Sequence, residues 1–293
     1  MVKVLGHRGV RQRKGVDENS LPALEIGFTE GDGIETDVVL SADGVPIVCH
    51  EQRSLVIPRL YSRSVAALKR HLNKASAKLV GKKRLDEMTA AEISQLRLKH
   101  GSEIPQLSAL FALAAQHPGK TIDIELKAPG TAAPVIAEIH KAVAAGKIKK
   151  EQVVLTSFEH EAIAEAKKLD PEIKCGFIIA RKDQHARRIY PWTDNKSRYS
   201  ALTDKMLTGA EAKAAQPDYF VMTPAQASAK GMKKIHKHFP NAKVMLWSSR
   251  KPEKYKRLEK VLKDQAIGPH VEAVITDFPG RMAKELKKKG LKP

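Results

Sequence analysis

Short apolar runs rich in β-branched residues recur along the whole chain and alternate with stretches of helical periodicity, and this alternation constrains the fold more than any other feature. The runs are Val2 to His7, Ile34 to Leu40, Pro46 to His50, Thr121 to Lys127, Val153 to Phe158, Cys175 to Ala180, Tyr219 to Met222, Val244 to Trp247 and Ala273 to Asp277. Helical patterns separate most of them: Ser20 to Glu30 behind Asn19 and Ser20 as cap, Thr89 to Leu96 with Thr89 and Glu92 as a capping box, Leu107 to Gln116, Ala132 to Ala145, His160 to Leu169, Gly231 to Phe239, Pro252 to Gln265 and Arg281 to Lys288. Parallel strands need crossover connections, so the pattern predicts βα units. A length of 293 residues suits one (β/α)8 TIM barrel, expected as a single domain over residues 1–293. Nine strand candidates are one too many for it. The Ala42-Asp43-Gly44 step reads as a tight hairpin turn, so one run is expected to be a hairpin arm outside the barrel.

Charged residues close several of these runs. Burying a charge there costs several kcal/mol unless a metal or an ionic substrate compensates it. In Ile34-Glu35-Thr36-Asp37-Val38 the period of two puts Glu35 and Asp37 on one face, and in Thr121 to Lys127 it puts Asp123, Glu125 and Lys127 together. With helices outside, the apolar faces point outward and the charged faces into the barrel mouth. Carboxylates facing one another repel, and a hard divalent cation, Mg²⁺ or Ca²⁺, relieves that. Glu35, Asp37 and Glu125 are the expected ligands. Asp123 lies deeper, where a buried salt bridge or an outward twist is expected instead. His7 and His50 each end a run at the same predicted rim and read as a general acid and general base pair. Arg8 and Lys127 would bring positive charge to a phosphoryl group.

A formal charge of +19 draws anions to the surface. With 5% aromatic residues and no interleaving of aromatic and basic positions, a nucleic-acid role is disfavoured. The segment of about 52–85 is a basic insertion without an acid, a cationic lid or a face for an anionic substrate or membrane surface. Cys49 and Cys175 stand far apart and suggest small buried residues rather than a disulfide or zinc site. No apolar leader or membrane-spanning run is visible, so a cytoplasmic location is expected.

Taken in order, His7-Arg8-Gly9, Glu18-Asn19-Ser20, Gly33 to Val38, Ser41 to His50, Ile104 to Leu107, Ile124 to Lys127, Thr156 to Phe158, Trp247 and Ile275 to Pro279 resemble the motifs of the glycerophosphodiester phosphodiesterase family over nearly the whole chain. The resemblance implies a barrel related to the phosphatidylinositol-specific phospholipases C, and hydrolysis of small glycerophosphodiesters to sn-glycerol 3-phosphate and an alcohol. It implies one divalent cation, Mg²⁺ or Ca²⁺ with Mn²⁺ as an alternative, on Glu35, Asp37 and Glu125. His7 and His50 become the acid/base pair, Arg8 and Lys127 the phosphate contacts, and Trp247 an aromatic near the substrate. Attack by the substrate's own glycerol 2-hydroxyl would give a cyclic phosphate that water opens. Glu51 replaces the family's usual Asp, Asp17 replaces a usual Pro, and Arg11, Arg13 and Lys14 make the first loop basic. Two other readings remain: a lysophospholipase D or sphingomyelinase D-like enzyme on membrane lipid, and a non-catalytic polyanion-binding barrel.

Overall fold

The structure, a computed structural model, describes residues 2–50, 68–180, 201–248 and 256–292. Its strands are β1 (Lys3–His7), β2 (Gly33–Leu40), β3 (Pro46–Val48), β4 (Thr121–Leu126), β5 (Val153–Ser157), β6 (Lys174–Ile178), β7 (Tyr219–Met222), β8 (Lys243–Ser248) and β9 (Val271–Thr276). Eight of them form a closed parallel barrel. The order runs β1-β9-β8-β7-β6-β5-β4-β2, and β1 closes the ring by pairing Leu5 with Gly33 of β2. The ninth is β3, which runs antiparallel to β2 with Val38 opposite Val48. It is the expected hairpin arm. In its turn the Ser41 hydroxyl accepts from Val45 N at 2.9 Å and donates to Asp43 Oδ1 at 2.6 Å. Gly44, at φ 78°, supplies the left-handed residue that the reversal needs.

Strand parity sorts the core into two. Outward residues such as Val4, Ile34, Val38, Ile122, Ile124 and Leu126 pack with Leu24, Phe28, Phe111 and Ile136 of the surrounding helices. Inward residues Leu5, Val154, Tyr219, Val221, Met245, Ala273 and Ile275 fill the barrel. Burying a side chain such as Phe28 contributes roughly 1.5–3 kcal/mol, and this outer shell is what holds the helices on. The polar residues that share the inward parity, His7, Glu35, Asp37, Asp123 and Glu125, are buried in the same interior.

The helices start where capping chemistry allows. Helix α1 (Leu21–Glu30) follows Ser20, whose hydroxyl accepts from Ala23 N. Helix α2 (Lys74–Leu79) lies in the basic insertion, and α3 (Ala90–Ser94) opens on the expected Thr89–Glu92 capping box. Next come α4 (Leu107–Ala114), α5 (Ala132–Ala144), α6 (His160–Leu169), α7 (Asp204–Thr208), α8 (Ala210–Ala215) and α9 (Ala229–His238). Last are α10 (Lys256–Lys263) and α11 (Pro279–Lys288). Helix α9 begins two residues before its sequence pattern because Ser228 caps it, accepting from Gly231 N at 3.1 Å. Helices α2, α7 and α8 have five or six residues, too short to show a full period in sequence.

Residues 51–67 of the expected 52–85 insertion lie outside the described residues. The remainder packs on a third small core, in which Leu68, Leu72, Val80 and Leu85 meet Val39, Ile47 and Cys49 from the β2–β3 hairpin. Both cysteines are buried and free, as expected, and burial pushes the Cys175 thiol up to about 12. Among the described residues no helix is long and apolar enough to cross a membrane.

Candidate metal and acid-base centre

At the end of β1 the chain turns sharply through Arg8 and Gly9, both left-handed at φ 51° and 74°. Such a conformation is rare for a residue with a side chain, and it is stored where the surrounding contacts enforce it. Gly9 permits the turn because a Cβ there would lie 2.2 Å from the Ala23 carbonyl oxygen of α1. The outcome is that Arg8 N donates to Glu35 Oε2 at 3.1 Å, while its guanidinium turns toward the acids. Nη1 meets Glu18 Oε1 at 2.5 Å and Nε stands 3.2 Å from Asp37 Oδ2. The triplet Glu18-Asn19-Ser20 divides the work. Glu18 holds Arg8 and Arg11; Asn19, at φ 60°, donates Nδ2–H to Asp37 Oδ2 at 2.9 Å and accepts from Thr36 Oγ1; Ser20 caps α1. Just before them, the Asp17 carboxylate accepts from His100 N and Ser102 N and so ties the first loop to the segment after α3.

Glu35, Asp37 and Glu125 are brought together by register, since Asp37 stands opposite Glu125 and Glu35 opposite Asp123 on the paired strands β2 and β4. One carboxylate oxygen from each of Glu35, Asp37 and Glu125 lies within 4.8 Å of the others. Two unit charges at that distance repel by roughly 3–4 kcal/mol at an effective dielectric of ~20. Burial, with Asp37, Asp123 and Glu125 adding to it, pushes Glu35 well above the usual carboxylate range. Burial and Asp37 raise Glu125 as well, against the pull of Lys127. Asp37 goes the other way. Its burial is outweighed by Lys127, Arg8 and His50 and by the Asn19 hydrogen bond, which hold it well below its ordinary value.

Lys127 lies between the acids, with Nζ 2.7 Å from Glu125 Oε1 and 3.2 Å from Asp37 Oδ1. Burial opposes its charge, but these two carboxylates win and raise its pKa. The donor set fits a hard divalent cation. Three carboxylates converge in a buried space, and Asp37 Oδ1 is buried there with no hydrogen-bond partner, Lys127 being at ion-pair distance only.

Asp123 departs from expectation. It neither twists outward nor forms a salt bridge among the described residues; it is fully buried on the inward face and accepts from Thr156 Oγ1 at 2.8 Å. Parity along β4 forces it inward beneath Glu125. Burial, opposed by that hydrogen bond and reinforced by Glu125, pushes it up to about 7.

His7 is 3% exposed, and its Nδ1 meets Asp277 Oδ1 at 2.5 Å. With a carboxylate accepting at Nδ1, the proton belongs on that nitrogen and Nε2 keeps its lone pair. Nε2 lies 3.8 Å from Glu35 Oε2, facing the acids. Burial lowers the His7 pKa, the Asp277 hydrogen bond resists, and Arg8 adds to the lowering. The second oxygen of Asp277 accepts from Gln12 Nε2 at 2.7 Å. Trp247 stands edge-on to His7, ring centroids 5.7 Å apart. His50 follows Cys49, whose N–H donates to Asp37 O at 2.9 Å, and its charge helps depress Asp37, so it shares the acids' rim. Glu51 lies outside the described residues.

The structure thus gathers His7, Arg8, Glu35, Asp37, Glu125 and Lys127 in direct contact, with Trp247 and His50 beside them. Sequence reasoning assigned no role to Asp277, Gln12 or Glu18, and it read Asn19 as a helix cap, whereas Ser20 caps α1 and Asn19 holds Asp37. Asp277 carried the same signal as the others, an acid closing an apolar run.

A model of the glycerophosphoryl diester phosphodiesterase family matches residues 7–281. The glycerophosphodiester phosphodiesterase of Caldanaerobacter subterraneus subsp. tengcongensis is 26% identical over 296 residues, covering 98% of each chain. Among solved structures, a glycerophosphodiester phosphodiesterase from Parabacteroides distasonis has a TM-score of 0.67 at 17% identity, over 99% of this chain and 98% of that one. A phosphodiesterase of Oleispira antarctica, in complex with the product sn-glycerol-3-phosphate, has 0.65 at 19%, over 97% and 96%. At these identities the structural likeness establishes the barrel fold.

Proposed function

This chain belongs to the glycerophosphoryl diester phosphodiesterase family, a class of phosphoric diester hydrolases, and from that premise we propose that it cleaves glycerophosphodiesters to sn-glycerol 3-phosphate and an alcohol by paired histidine acid/base catalysis beside one divalent cation. The observation that carries the reading is the convergence of three buried carboxylates within 4.8 Å, next to a histidine whose Nε2 faces them. Glu35, Asp37 and Glu125 would hold the cation, Mg²⁺ or Ca²⁺, with Mn²⁺ compatible with the same oxygen donors. When bound it would polarise the phosphoryl oxygens and offset the charge that develops on them.

His7, held neutral by burial and oriented by Asp277, accepts at Nε2 the proton of the glycerol 2-hydroxyl. That oxygen forms the new P–O bond. His50 gives its proton to the departing alcohol oxygen as the old P–O bond breaks, and the cyclic phosphate is then opened by water with the two roles reversed. General acid/base groups of this kind supply roughly 10²- to 10⁴-fold each. Arg8 and Lys127 bring two cationic groups to the phosphate, and Trp247 walls the His7 side. The test is release of glycerol 3-phosphate from glycerophosphocholine, glycerophosphoethanolamine, glycerophosphoglycerol and lysophospholipids, with and without chelator. Release from the deacylated diesters, abolished by chelator and restored by Mg²⁺ or Ca²⁺, is expected. Turnover indifferent to chelator would overturn the cation's part, and cleavage confined to lysophospholipids would overturn the substrate class.

A further inference from the structure

We propose that the outward face of residues 68–85, centred on Leu79, docks this protein on an anionic lipid bilayer. Helix α2 turns Ser76 inward, where its hydroxyl accepts from Arg97 N at 2.7 Å, and so turns Lys74, Lys78 and Leu79 outward. Leu79 is 63% exposed; among the described residues it and Leu169 are the exposed large hydrophobics. Leu169, 48% exposed, is followed closely by the acids Asp170 and Glu172. Around Leu79 the chain carries Arg70, Lys74, Lys78 and Lys82, all exposed, and none of the first three has a carboxylate at ion-pair distance among the described residues. Left-handed Gly81, at φ 60°, turns the chain after the leucine, and Lys83 N donates to Val80 O at 3.0 Å.

An apolar side chain ringed by long cationic ones suits the boundary of a charged membrane. The leucine enters among the headgroups, while lysine stems lie along the apolar boundary with their ammonium groups at the phosphates. Juxtaposed lysines select anionic lipid by charge complementarity. A nucleic-acid duplex would use the lysines but has no use for the leucine. The face rests on the small core built on Val39, Ile47 and Cys49, residues that flank Asp37 and His50. Docking surface and carboxylate cluster therefore share one end of the barrel.

The test is co-sedimentation of the full chain with vesicles of phosphatidylcholine and phosphatidylglycerol, or of phosphatidylcholine alone, at physiological ionic strength. Binding to the mixed vesicles only is expected. Replacing both Lys74→Ser and Lys78→Ser should weaken it about thirtyfold, Leu79→Gln should weaken it, and Leu79→Trp should strengthen it. Lys233→Ser with Lys237→Ser removes the same charge from exposed positions of α9 and should leave binding nearly intact. All four variants should hydrolyse zwitterionic glycerophosphocholine like the wild type. Equal losses from the α2 and α9 pairs would reduce the effect to net charge and overturn the proposal. So would a Leu79→Gln variant that binds unchanged, or tighter binding of a DNA duplex than of vesicles.

Discussion

At the scale of single residues, the carboxylate of Asp277 separates a reactive histidine from a merely buried one. It fixes the His7 proton on Nδ1 through a 2.5 Å hydrogen bond, and Gln12 occupies its other oxygen. In Asp277→Asn the charge that holds the Nδ1 proton is gone, and where the amide oxygen keeps its bond to Gln12 Nε2 only an NH₂ is left for His7. The NH₂ then faces His7, favours the opposite tautomer and removes the lone pair from Nε2. We expect kcat to fall roughly 10²- to 10⁴-fold with KM little changed. Steady-state kinetics on a glycerophosphodiester, beside a thermal melt, checks this; a kcat close to wild type would remove Asp277 from the reaction. The sequence marks Asp277 as an acid at a strand end, but its partner lies 270 positions away. Such a contact exists only once β9 has closed on β1. Glu35, Asp37 and Glu125 were legible earlier because the period of two alone places them on inward faces.

At the scale of elements, strands and long helices follow from periodicity, whereas the identity of the extra strand follows from pairing. Pro46–Val48 has the composition of the barrel strands, and only the antiparallel register of Val38 with Val48 sets it apart. Packing between elements likewise sets the titration of His160. As the first residue of α6 it stacks on Phe177 of β6 at 3.9 Å, and its Nε2–H donates to Ile178 O at 3.2 Å. Burial lowers its pKa from 6.5 to about 4, despite that hydrogen bond. The folded value is depressed, so the unfolded chain binds the extra proton between these limits. The resulting stability is complete above pH 6.5 and lost as pH falls toward 4. Its upper bound is on the order of 3 kcal/mol, at 1.36 kcal/mol per pKa unit. Urea unfolding of wild type and His160→Phe across this range should give curves of different slope, the wild type showing the steeper loss toward acid. Parallel curves would mean that the α6–β6 contact carries no such linkage.

At the scale of the whole molecule, the +19 charge acts beyond any single contact. Buried Arg8 and Lys127 are neutralised by Glu18, Glu125 and Asp37 at 2.5–3.2 Å, so they add little to the distant field. That field comes from exposed lysines such as Lys230, Lys233 and Lys237 on α9 and Lys284, Lys287 and Lys288 on α11. Field of this origin accelerates encounter with anions and is screened by salt, over a Debye length of ~30 Å at about 0.01 M and ~8 Å at about 0.15 M. Two substrates with the same scissile bond then separate steering from chemistry. Glycerophosphoglycerol is a net anion, whereas the choline of glycerophosphocholine cancels its phosphate charge. Raising NaCl between these limits should lower kcat/KM for the former severalfold and for the latter little, with kcat constant for both. Steering reaches kcat/KM only where encounter limits turnover, so the viscosity dependence of kcat/KM belongs beside the salt series. Equal salt slopes for the two substrates, with viscosity-limited turnover, would mean that the exposed lysines do not guide substrate.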